Sequence, residues 1–323
     1  MSVRTMNMAS AGGITDRRMI AGISCGVGAG AVWGLVFVAP EMVYGFSPLE
    51  LAVGRYLAYG FISVALLASR WRPLTAGLSR RDWLMLAFLA LTGNSLYYLL
   101  LSAAVQTGGI AITALIMGFL PVAVTIIGSR ETHAVTLKAL IPSLLLCLAG
   151  AGAIGLHAID ASVESTTTHL MGLLCAIAAL VTWTVYAVLN ARALTRLSKV
   201  SPYDWSLLVG VVAGAQAMLM VPAVAIHSPQ HSVEQWLQFG LVSIGVALLA
   251  SVIGNGLWNK MSRLLPMTMG GQMILFETLF ALLYSFVWES RLPDWLEVIA
   301  FLLVAGSVIS CIGAHRRHQA GLA

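Results

Sequence analysis

The chain has 323 residues, of which 59% are hydrophobic and only 10% charged, and its mean hydropathy is +0.88. About a quarter of the residues of a soluble domain are charged. The low charged fraction of this chain therefore excludes a water-soluble globular domain. The net charge of +5 does not indicate nucleic acid, because the basic residues are scattered over short loops. The four cysteines lie in four different apolar runs, which argues against a disulfide framework or a clustered metal site.

The apolar residues fall into ten runs, each close to the roughly 20 residues that a helix needs to cross a bilayer. Backbone groups in lipid must be satisfied within their own segment, so each run is predicted to be a helix. The first run exceeds the apolar region of a cleavable signal, and we interpret it as an uncleaved span. The ten predicted spans are 18–40, 48–69, 83–104, 108–128, 136–156, 169–191, 204–226, 237–259, 264–288 and 293–313.

The lysines and arginines predict the orientation of these spans. With the amino terminus in the cytoplasm, sixteen of the eighteen basic residues fall inside, Arg291 falls outside and Arg55 lies within a span. A missed span would invert everything after it, so this separation supports both the count of ten and cytoplasmic termini. We therefore expect a multi-pass protein of the bacterial inner membrane.

Polar residues recur in the same order in two pairs of spans. The third and fourth spans carry Asn94, Tyr97, Tyr98 and Pro121, with Glu131 just past the span. The eighth and ninth carry Asn255, Trp258, Asn259 and Glu277-Thr278, with Glu289 just past the span. Five helices per half is an odd number, so the second half must cross the membrane in the opposite sense. The predicted fold is an all-α membrane protein of two inverted-topology five-helix repeats, an arrangement that suits alternating access around a site near the midplane.

The domain boundaries follow from these spans. They are a disordered cytoplasmic amino terminus (1–16), a first five-helix repeat (17–157), an extracytoplasmic linker (158–168), a second five-helix repeat (169–313) and a cytoplasmic tail (314–323). The connections are short, so no soluble part is large enough to hold an enzyme active site.

Two charged side chains fall inside predicted spans. An ionised, unpaired carboxylate in hydrocarbon costs several kcal/mol, so Glu277 should face protein or water. It could carry a coupling proton or act as counter-ion to a substrate ammonium, or else be a neutral acid bonded to a neighbouring helix. Arg55 could bind a substrate carboxylate, snorkel to the outer interface, or pair with Glu50 or Glu41.

Aromatic and amide side chains recur midway along several spans. In the third and eighth spans they are spaced i, i+3 or i, i+4, which puts them on one helix face. Such a lining suits a neutral or zwitterionic solute with an apolar side chain, and ring faces attract an ammonium by roughly 0.5–2 kcal/mol. The alternative is helix packing. The predicted substrate-binding residues are Trp33, Asn94, Tyr97, Tyr98, Trp183, Tyr186, Asn255, Trp258 and Glu277.

Small residues and histidines have simpler interpretations. Gly26, Gly30 and Gly34 form a stripe that predicts close helix packing, and Gly118 before Pro121 could allow a bend in the fourth span. The seven histidines fall in loops or at span ends without metal-site spacing, and we interpret them as solvated. The spans also lack a Ser-His-Asp set, a phosphate-binding loop and paired carboxylates, so we expect no enzyme, no metal and no cofactor.

The chain resembles the EamA family of the drug/metabolite transporter superfamily over roughly 18–313. The residues that carry the resemblance are Ala31-Val32-Trp33-Gly34, Phe37, Arg55, and Pro121 with Glu131. Within the family it looks most like the YddG-type exporters of aromatic and other amino acids. The resemblance implies a central cavity lined by spans 1, 3, 4, 6, 8 and 9, and efflux of amino acids or related metabolites. The family often has Glu-Pro where this chain has Glu277-Thr278, so a kink attributed to that proline lacks support here.

Three functions were weighed against these residues. The first is a secondary transporter that exports amino acids or related small metabolites across the lipid bilayer, with protons as one candidate for the coupling ion. The second is a carrier of phosphorylated sugars or nucleotide sugars, which would need several basic groups in the cavity where Arg55 stands alone. The third is a non-transporting scaffold or an intramembrane enzyme.

Overall fold

The computed structural model describes residues 3–43, 45–131, 134–159, 166–227, 229–288 and 290–322. Within these ranges every regular element is helical. The α-helices, in chain order, are α1 Val3–Gly34, α2 Ala39–Met42, α3 Pro48–Leu67, α4 Trp71–Thr75, α5 Arg80–Ala90, α6 Leu96–Met117, α7 Leu120–Gly128, α8 Leu137–Ile159, α9 Thr166–Arg196, α10 Pro202–His227, α11 Val233–Val246, α12 Asn255–Leu264, α13 Met267–Met273, α14 Leu275–Trp288 and α15 Trp295–Leu322. A first π-helical segment, Leu91–Ser95, joins α5 to α6, and a second, Ala247–Gly254, joins α11 to α12.

Seven helical stretches among the described residues are long and apolar enough to cross a membrane. They are Pro48–Thr75, Arg80–Ala104, Leu170–Arg196, Pro202–Ile226, Val233–Leu264, Met267–Trp288 and Trp295–His318. A shorter apolar helix covers Leu137–Ala153. These stretches coincide with the predicted second, third and sixth to tenth spans and with the fifth. The all-helical class is confirmed for the described part of the chain, and the count of ten spans stays a prediction.

The break between the predicted third and fourth spans lies elsewhere. The sequence predicts this break at 105–107, but α6 continues to Met117 and the chain leaves the helix only at Gly118 and Phe119. Proline lacks an N–H and fits the first turn of a helix, which is where Pro121 stands in α7. Glycines inside α6 keep their backbone hydrogen bonds, as an apolar environment demands. The predicted break at 105–107 is wrong, and the predicted bend at Gly118 is confirmed as an interruption of the helix.

The two ends of the chain also differ from expectation. Helix α1 begins at Val3 and so includes 3–16, for which disorder was predicted. Helix α15 runs to Leu322, so the predicted tail from 314 starts inside a helix. The domain boundaries otherwise stay predictions.

Helices α3 and α10 cross where two glycines meet. A Cβ atom added to Gly60 would lie 2.7 Å from the Cα of Gly214, and one added to Gly214 would lie 2.6 Å from the Cα of Gly60. The neighbours are reciprocal as well, because the first Cβ would lie 3.5 Å from the Gly210 oxygen and the second 3.3 Å from the Tyr56 oxygen. Each glycine follows the Ser-Pro start of its helix by the same number of residues. Equivalent positions of the two halves are therefore in contact.

The glycine stripe of α1 packs against the start of α14 and the residues before it. A Cβ atom on Gly30 would lie 2.5 Å from the Phe276 Cβ and 2.8 Å from the Glu277 nitrogen. One on Gly34 would lie 2.9 Å from the Ala281 nitrogen. Small residues allow this close backbone approach, so the predicted packing role of the stripe is confirmed. This contact fixes the position of Glu277 relative to Trp33, which lies one turn after Gly30 in α1.

Candidate substrate site

Five of the predicted aromatic side chains form one continuous series of rings. The Trp33 and Trp258 ring centres are 5.3 Å apart, and those of Trp258 and Trp183 are 5.5 Å apart. From Trp183 the series branches to Tyr186 at 5.8 Å and to Tyr97 at 6.4 Å. Tilted and edge-on pairs at these separations are favourable aromatic geometries. The series, called the ring cluster below, joins α1, α6, α9 and α12, so both halves of the chain contribute to it.

Two glycines in or beside the π segments make room for rings of the ring cluster. A Cβ atom on Gly93 would clash with the Tyr186 ring, and one on Gly254 would lie 2.6 Å from the Trp33 Nε1. Trp33 Nε1 also donates a hydrogen bond of 2.9 Å to the Ala250 oxygen in the second π segment. π segments are rare and often mark functional sites. Sequence reasoning missed these glycines, although the repeated Gly-Asn pairs at 93–94 and 254–255 were a usable signal.

The two predicted amides lie at the same junctions. Asn94 is buried in the first π segment, and Asn255 is buried as the first residue of α12, directly after the second. The Asn255 side chain faces the Tyr59 hydroxyl, which itself donates to the Ser206 oxygen over 2.5 Å. The amides therefore sit where helices change pitch, next to the ring cluster rather than as members of it.

Arg55 is held inside the protein by side chains of both halves. Its Nε donates to the Ser251 Oγ over 3.0 Å. Its guanidinium carbon lies 5.4 Å from the centre of the Tyr56 ring and 5.8 Å from that of Tyr98. Both distances are within the range of cation–π attraction. Tyr98, predicted to belong to the aromatic lining, thus contacts Arg55 and Tyr56 instead of the ring cluster.

The ion pair of Arg55 with Glu50, weighed from the sequence, is replaced by other contacts. Glu50 accepts a hydrogen bond of 2.6 Å from the Ser47 nitrogen and lies 3.4 Å from the His231 Nε2. The Glu41 side chain lies outside the described residues. Snorkelling is also a poor description, because the guanidinium is fixed by a buried serine on the second π segment.

Glu277 stands in the first turn of α14, just after the helix is interrupted at Ile274. The positive end of a helix dipole favours a carboxylate at this position. The interruption exists although Thr278 replaces the proline that the family often has. The carboxylate is half-buried and close enough to Arg55 for their charges to attract. Among the described residues it makes neither a hydrogen bond nor an ion pair.

Two small clefts flank the ring cluster. The Arg55 cleft is lined by Arg55, Tyr98, Val36 and Ser243, among others. The Trp258 cleft is lined by Trp258, Ala187, Ala191 and Ser262, among others. Trp33 precedes Val36 by one helical turn and Trp258 precedes Ser262 by one turn, so the Trp33–Trp258 contact lies between the clefts. One ring from each half thus lies between the two clefts.

The buried Trp258 also carries an unused donor. Its Nε1 has no hydrogen-bond acceptor within the described part of the chain, although the residue is only 3% exposed. A buried N–H without an acceptor is costly, and nearly all such groups in proteins find one. The wall of the Trp258 cleft therefore offers a donor for which a second conformation or a ligand could supply the acceptor.

A buried amide network lies next to residues that line the Trp258 cleft. Asn190 donates to the Asn259 Oδ1 over 2.8 Å and accepts from the Trp205 Nε1 over 2.9 Å. Arg263 donates to the carbonyl oxygen of Leu194 near the end of α9 and to that of Val200 in the turn that follows. Sequence reasoning did not single out Asn190 or Trp205, because nothing in a single apolar helix shows which polar groups will meet.

Two histidines are not solvated, contrary to the sequence analysis. His315 is buried in α15, where Nε2 lies 2.8 Å from the Thr268 Oγ1 and Nδ1 lies 2.9 Å from the Cys311 oxygen. It is buried because α15 continues beyond the predicted end of the last span. The His231 side chain is 5% exposed and stacks on the Phe46 ring at 3.9 Å.

Comparison with known proteins shows the family to which this architecture belongs. The model of the EamA-like transporter family matches residues 20–156 and again residues 170–312, once for each half. The inner membrane protein YtfF of Escherichia coli (strain K12) is 30% identical over 313 residues, which cover 90% of this chain and 95% of YtfF. A crystal structure whose description names no function shares the fold, with a TM-score of 0.71 at 18% identity over 91% of this chain and 98% of its own. The chain belongs to the EamA-like transporter family.

Proposed function

We propose that the chain is a secondary transporter that exports amino acids, aromatic or other mostly neutral ones, or related small metabolites by alternating access. The observation that carries this proposal is the ring cluster, which is built from both halves and separates two clefts. A solute held among these rings would be reached from one cleft or the other as the halves rock against each other. The YddG-type specificity suggested by the sequence agrees with this aromatic lining.

Contacts between equivalent positions support an inverted pair of five-helix repeats with ten spans. Along α3 and α10 the contacts move forward from Gly60 to Ser63 on one helix while they move back from Gly214 to Gly210 on the other. The equivalent helices therefore run antiparallel, as a two-fold axis in the membrane plane requires. The ring–glycine contacts are exchanged in the same way, since Trp33 of the first half packs on Gly254 and Tyr186 of the second half packs on Gly93.

The location and orientation are supported by charge and by a relative. Almost all lysines and arginines fall on one side if both termini are cytoplasmic. YtfF is described as an inner membrane protein, and this chain matches nearly its whole length. We propose the same membrane, with cytoplasmic termini, for this chain.

The polar groups around the clefts favour a substrate of low net charge. Arg55 is the basic side chain that lines the Arg55 cleft, and Glu277 is the carboxylate within reach of it. A phosphorylated sugar or nucleotide sugar carries fixed negative charges that one arginine beside a carboxylate would compensate poorly. Aromatic rings and a balanced pair of charges instead suit an amino acid with an apolar side chain.

Glu277 is the residue with which we propose to test the coupling. Its replacement by Gln keeps the shape but removes the charge and the ability to carry a proton. In proteoliposomes, Glu277→Gln should lower the flux of labelled phenylalanine at least tenfold and abolish any response to a pH gradient. The matched control is Glu131→Gln, because Glu131 is an exposed carboxylate that faces Arg192 at the end of the bundle.

The substrate class is tested with the unmodified protein. Purified transporter should move phenylalanine and leucine across liposomes faster than protein-free vesicles do, and should not move glucose 6-phosphate. Flux of the sugar phosphate without flux of any amino acid would replace the proposal by the phosphorylated-sugar alternative. Flux of neither class would leave the scaffold interpretation.

A further inference from the structure

We infer that Arg55 and Glu277 form a clamp for a zwitterion, with Arg55 binding the α-carboxylate and Glu277 the α-ammonium of one substrate molecule. This inference rests on the proposed function and narrows it. Substrates must then carry both charged groups free, on the same carbon, whatever their side chain. Amines without a carboxylate and acids without an ammonium are excluded.

The hydrogen bonds of Arg55 leave its carboxylate-binding face open. A guanidinium has five N–H donors, and the Nε donor is taken by Ser251. The four donors on the two terminal nitrogens bond to no residue in the described ranges. Tyr56 and Tyr98 hold the cation through their ring faces, which orients it without occupying those donors. A planar fork fixed in this way, in the wall of a cleft, matches a carboxylate with two parallel hydrogen bonds.

Glu277 presents the complementary group. Its backbone is fixed by the close crossing of α1 at Gly30, and its carboxylate has no hydrogen-bond or ion-pair partner among the described residues. Glu277 packs against Gly30 of α1, and one turn later Trp33 bonds to the Ala250 oxygen, next to the Ser251 that holds Arg55. Among the described residues, no ion pair joins the two charged side chains. A charge left without a partner in a half-buried place is destabilised. A molecule with a carboxylate at one end and an ammonium at the other would compensate both charges at once.

The surroundings show where the rest of the substrate would lie. Tyr98, whose ring faces Arg55, is preceded in α6 by Tyr97, and the Tyr97 ring packs against Trp183 of the ring cluster. An α-amino acid held between the two charges would therefore direct its side chain toward aromatic rings. Arg55 and Glu277 would bind the carboxylate and ammonium of the amino acid, and the ring cluster would contact an apolar side chain.

Competition experiments separate the two ends of the clamp. Labelled phenylalanine flux in proteoliposomes is challenged with unlabelled phenylalanine, phenylalaninamide, phenylethylamine or 3-phenylpropionate, which share one ring and differ in their charged groups. We expect phenylalanine to inhibit at a concentration at least tenfold below that of the other three. Equal inhibition by phenylalanine and phenylethylamine would overturn the role of Arg55, and equal inhibition by 3-phenylpropionate would overturn that of Glu277.

Variants of Arg55 give the second measurement. Arg55→Gln should raise the KM for phenylalanine at least tenfold and remove the preference for phenylalanine over phenylethylamine. Arg55→Lys keeps the charge but loses the fork, so its KM should fall between those of Arg55→Gln and the unmodified protein. The control Arg72→Gln removes an exposed arginine of α4 and should change neither value. Folding of each variant is checked by its melting temperature in detergent.

The outcomes distinguish this inference from the proposed function. Amino acid flux that is unaltered in a folded Arg55→Gln variant would refute the clamp and leave the transporter proposal standing. No amino acid flux in the unmodified protein would refute both.

Discussion

The two halves of the molecule share their contacts between helices but not their charges. Gly60 and Gly214 touch each other across the α3–α10 crossing, and each half places a ring against a glycine of the other. The position in α10 that corresponds to Arg55, counted from the Ser-Pro start, is occupied by Val209. The alternating access that we propose requires equivalent packing in both halves. The zwitterionic substrate that we propose has two different ends, and the non-equivalent side chains Arg55 and Glu277 would bind them.

The largest effect is expected where the halves touch. Gly214→Ala would place a Cβ atom 2.6 Å from the Gly60 Cα, and no flexible side chain is there to yield. Overpacking costs about 1–3 kcal/mol and sometimes more, so we expect at least the upper end of that range. Gly60→Ala should cost a similar amount, since its contact is reciprocal. Both are measured as the loss of monodisperse protein and of melting temperature in detergent.

The matched control for the two glycines is Gly245→Ala in α11, where an added Cβ atom would meet nothing within 4 Å. Alanine favours helix over glycine, so this variant should be as stable as the unmodified protein or slightly more stable. A strongly destabilised control, or a Gly214→Ala variant that melts normally, would contradict the close crossing.

A second prediction concerns the buried amide network of the second half. Asn190→Leu removes the acceptor of Trp205 Nε1 and the donor to Asn259. Each buried polar group left without a partner costs about 1–3 kcal/mol, so the midpoint of thermal unfolding should fall clearly. The control Thr195→Val changes an exposed residue one turn further along α9, whose hydroxyl bonds only to the Ala191 oxygen of its own helix. Equal melting of the two variants would show that the network contributes nothing.

Loss of a polar side-chain atom should lower stability more at Trp33 than at Tyr186, the two rings that pack on glycines of the π segments. Trp33→Phe removes the hydrogen bond from Nε1 to the Ala250 oxygen and also reduces the ring, for an expected cost of about 1–2 kcal/mol. Tyr186→Phe removes a hydroxyl that bonds to no described residue and should cost less. Equal decreases in the unfolding midpoint would mean that the hydrogen bond from Trp33 to the Ala250 oxygen does not stabilise the second π segment.

The smallest effects are expected for the charged contacts at the ends of the helices. Arg196 pairs with the buried Asp82 carboxylate, whereas Arg192 lies 3.6 Å from the exposed Glu131. Surface ion pairs contribute about 0–1 kcal/mol, so Arg196→Gln should lower stability slightly and Arg192→Gln should leave it unchanged. Raising the salt concentration should erase the difference between the two melting temperatures.

Comparison of the sequence predictions with the structure shows which features are local. The apolar runs predicted most membrane helices, and the repeated Asn and aromatic spacing predicted that α6 and α12 are related. Helix ends were harder, because α6 passes through 105–107 and α15 passes the predicted end of the last span. An apolar helix is hydrophobic on every side, so its sequence does not show which face meets which neighbour.

The sequence by itself determined the solvent, the helical class, the repeat and the residue types of the ring cluster. These depend on composition and on spacing along one segment, which transfer energies and helix geometry translate directly into structure. The tertiary structure decided which residues meet: Trp33 with Ala250, Arg55 with Ser251, and Gly60 with Gly214. Such meetings depend on where helices cross and how they rotate about their axes, and that is set by the close fit of all of them together.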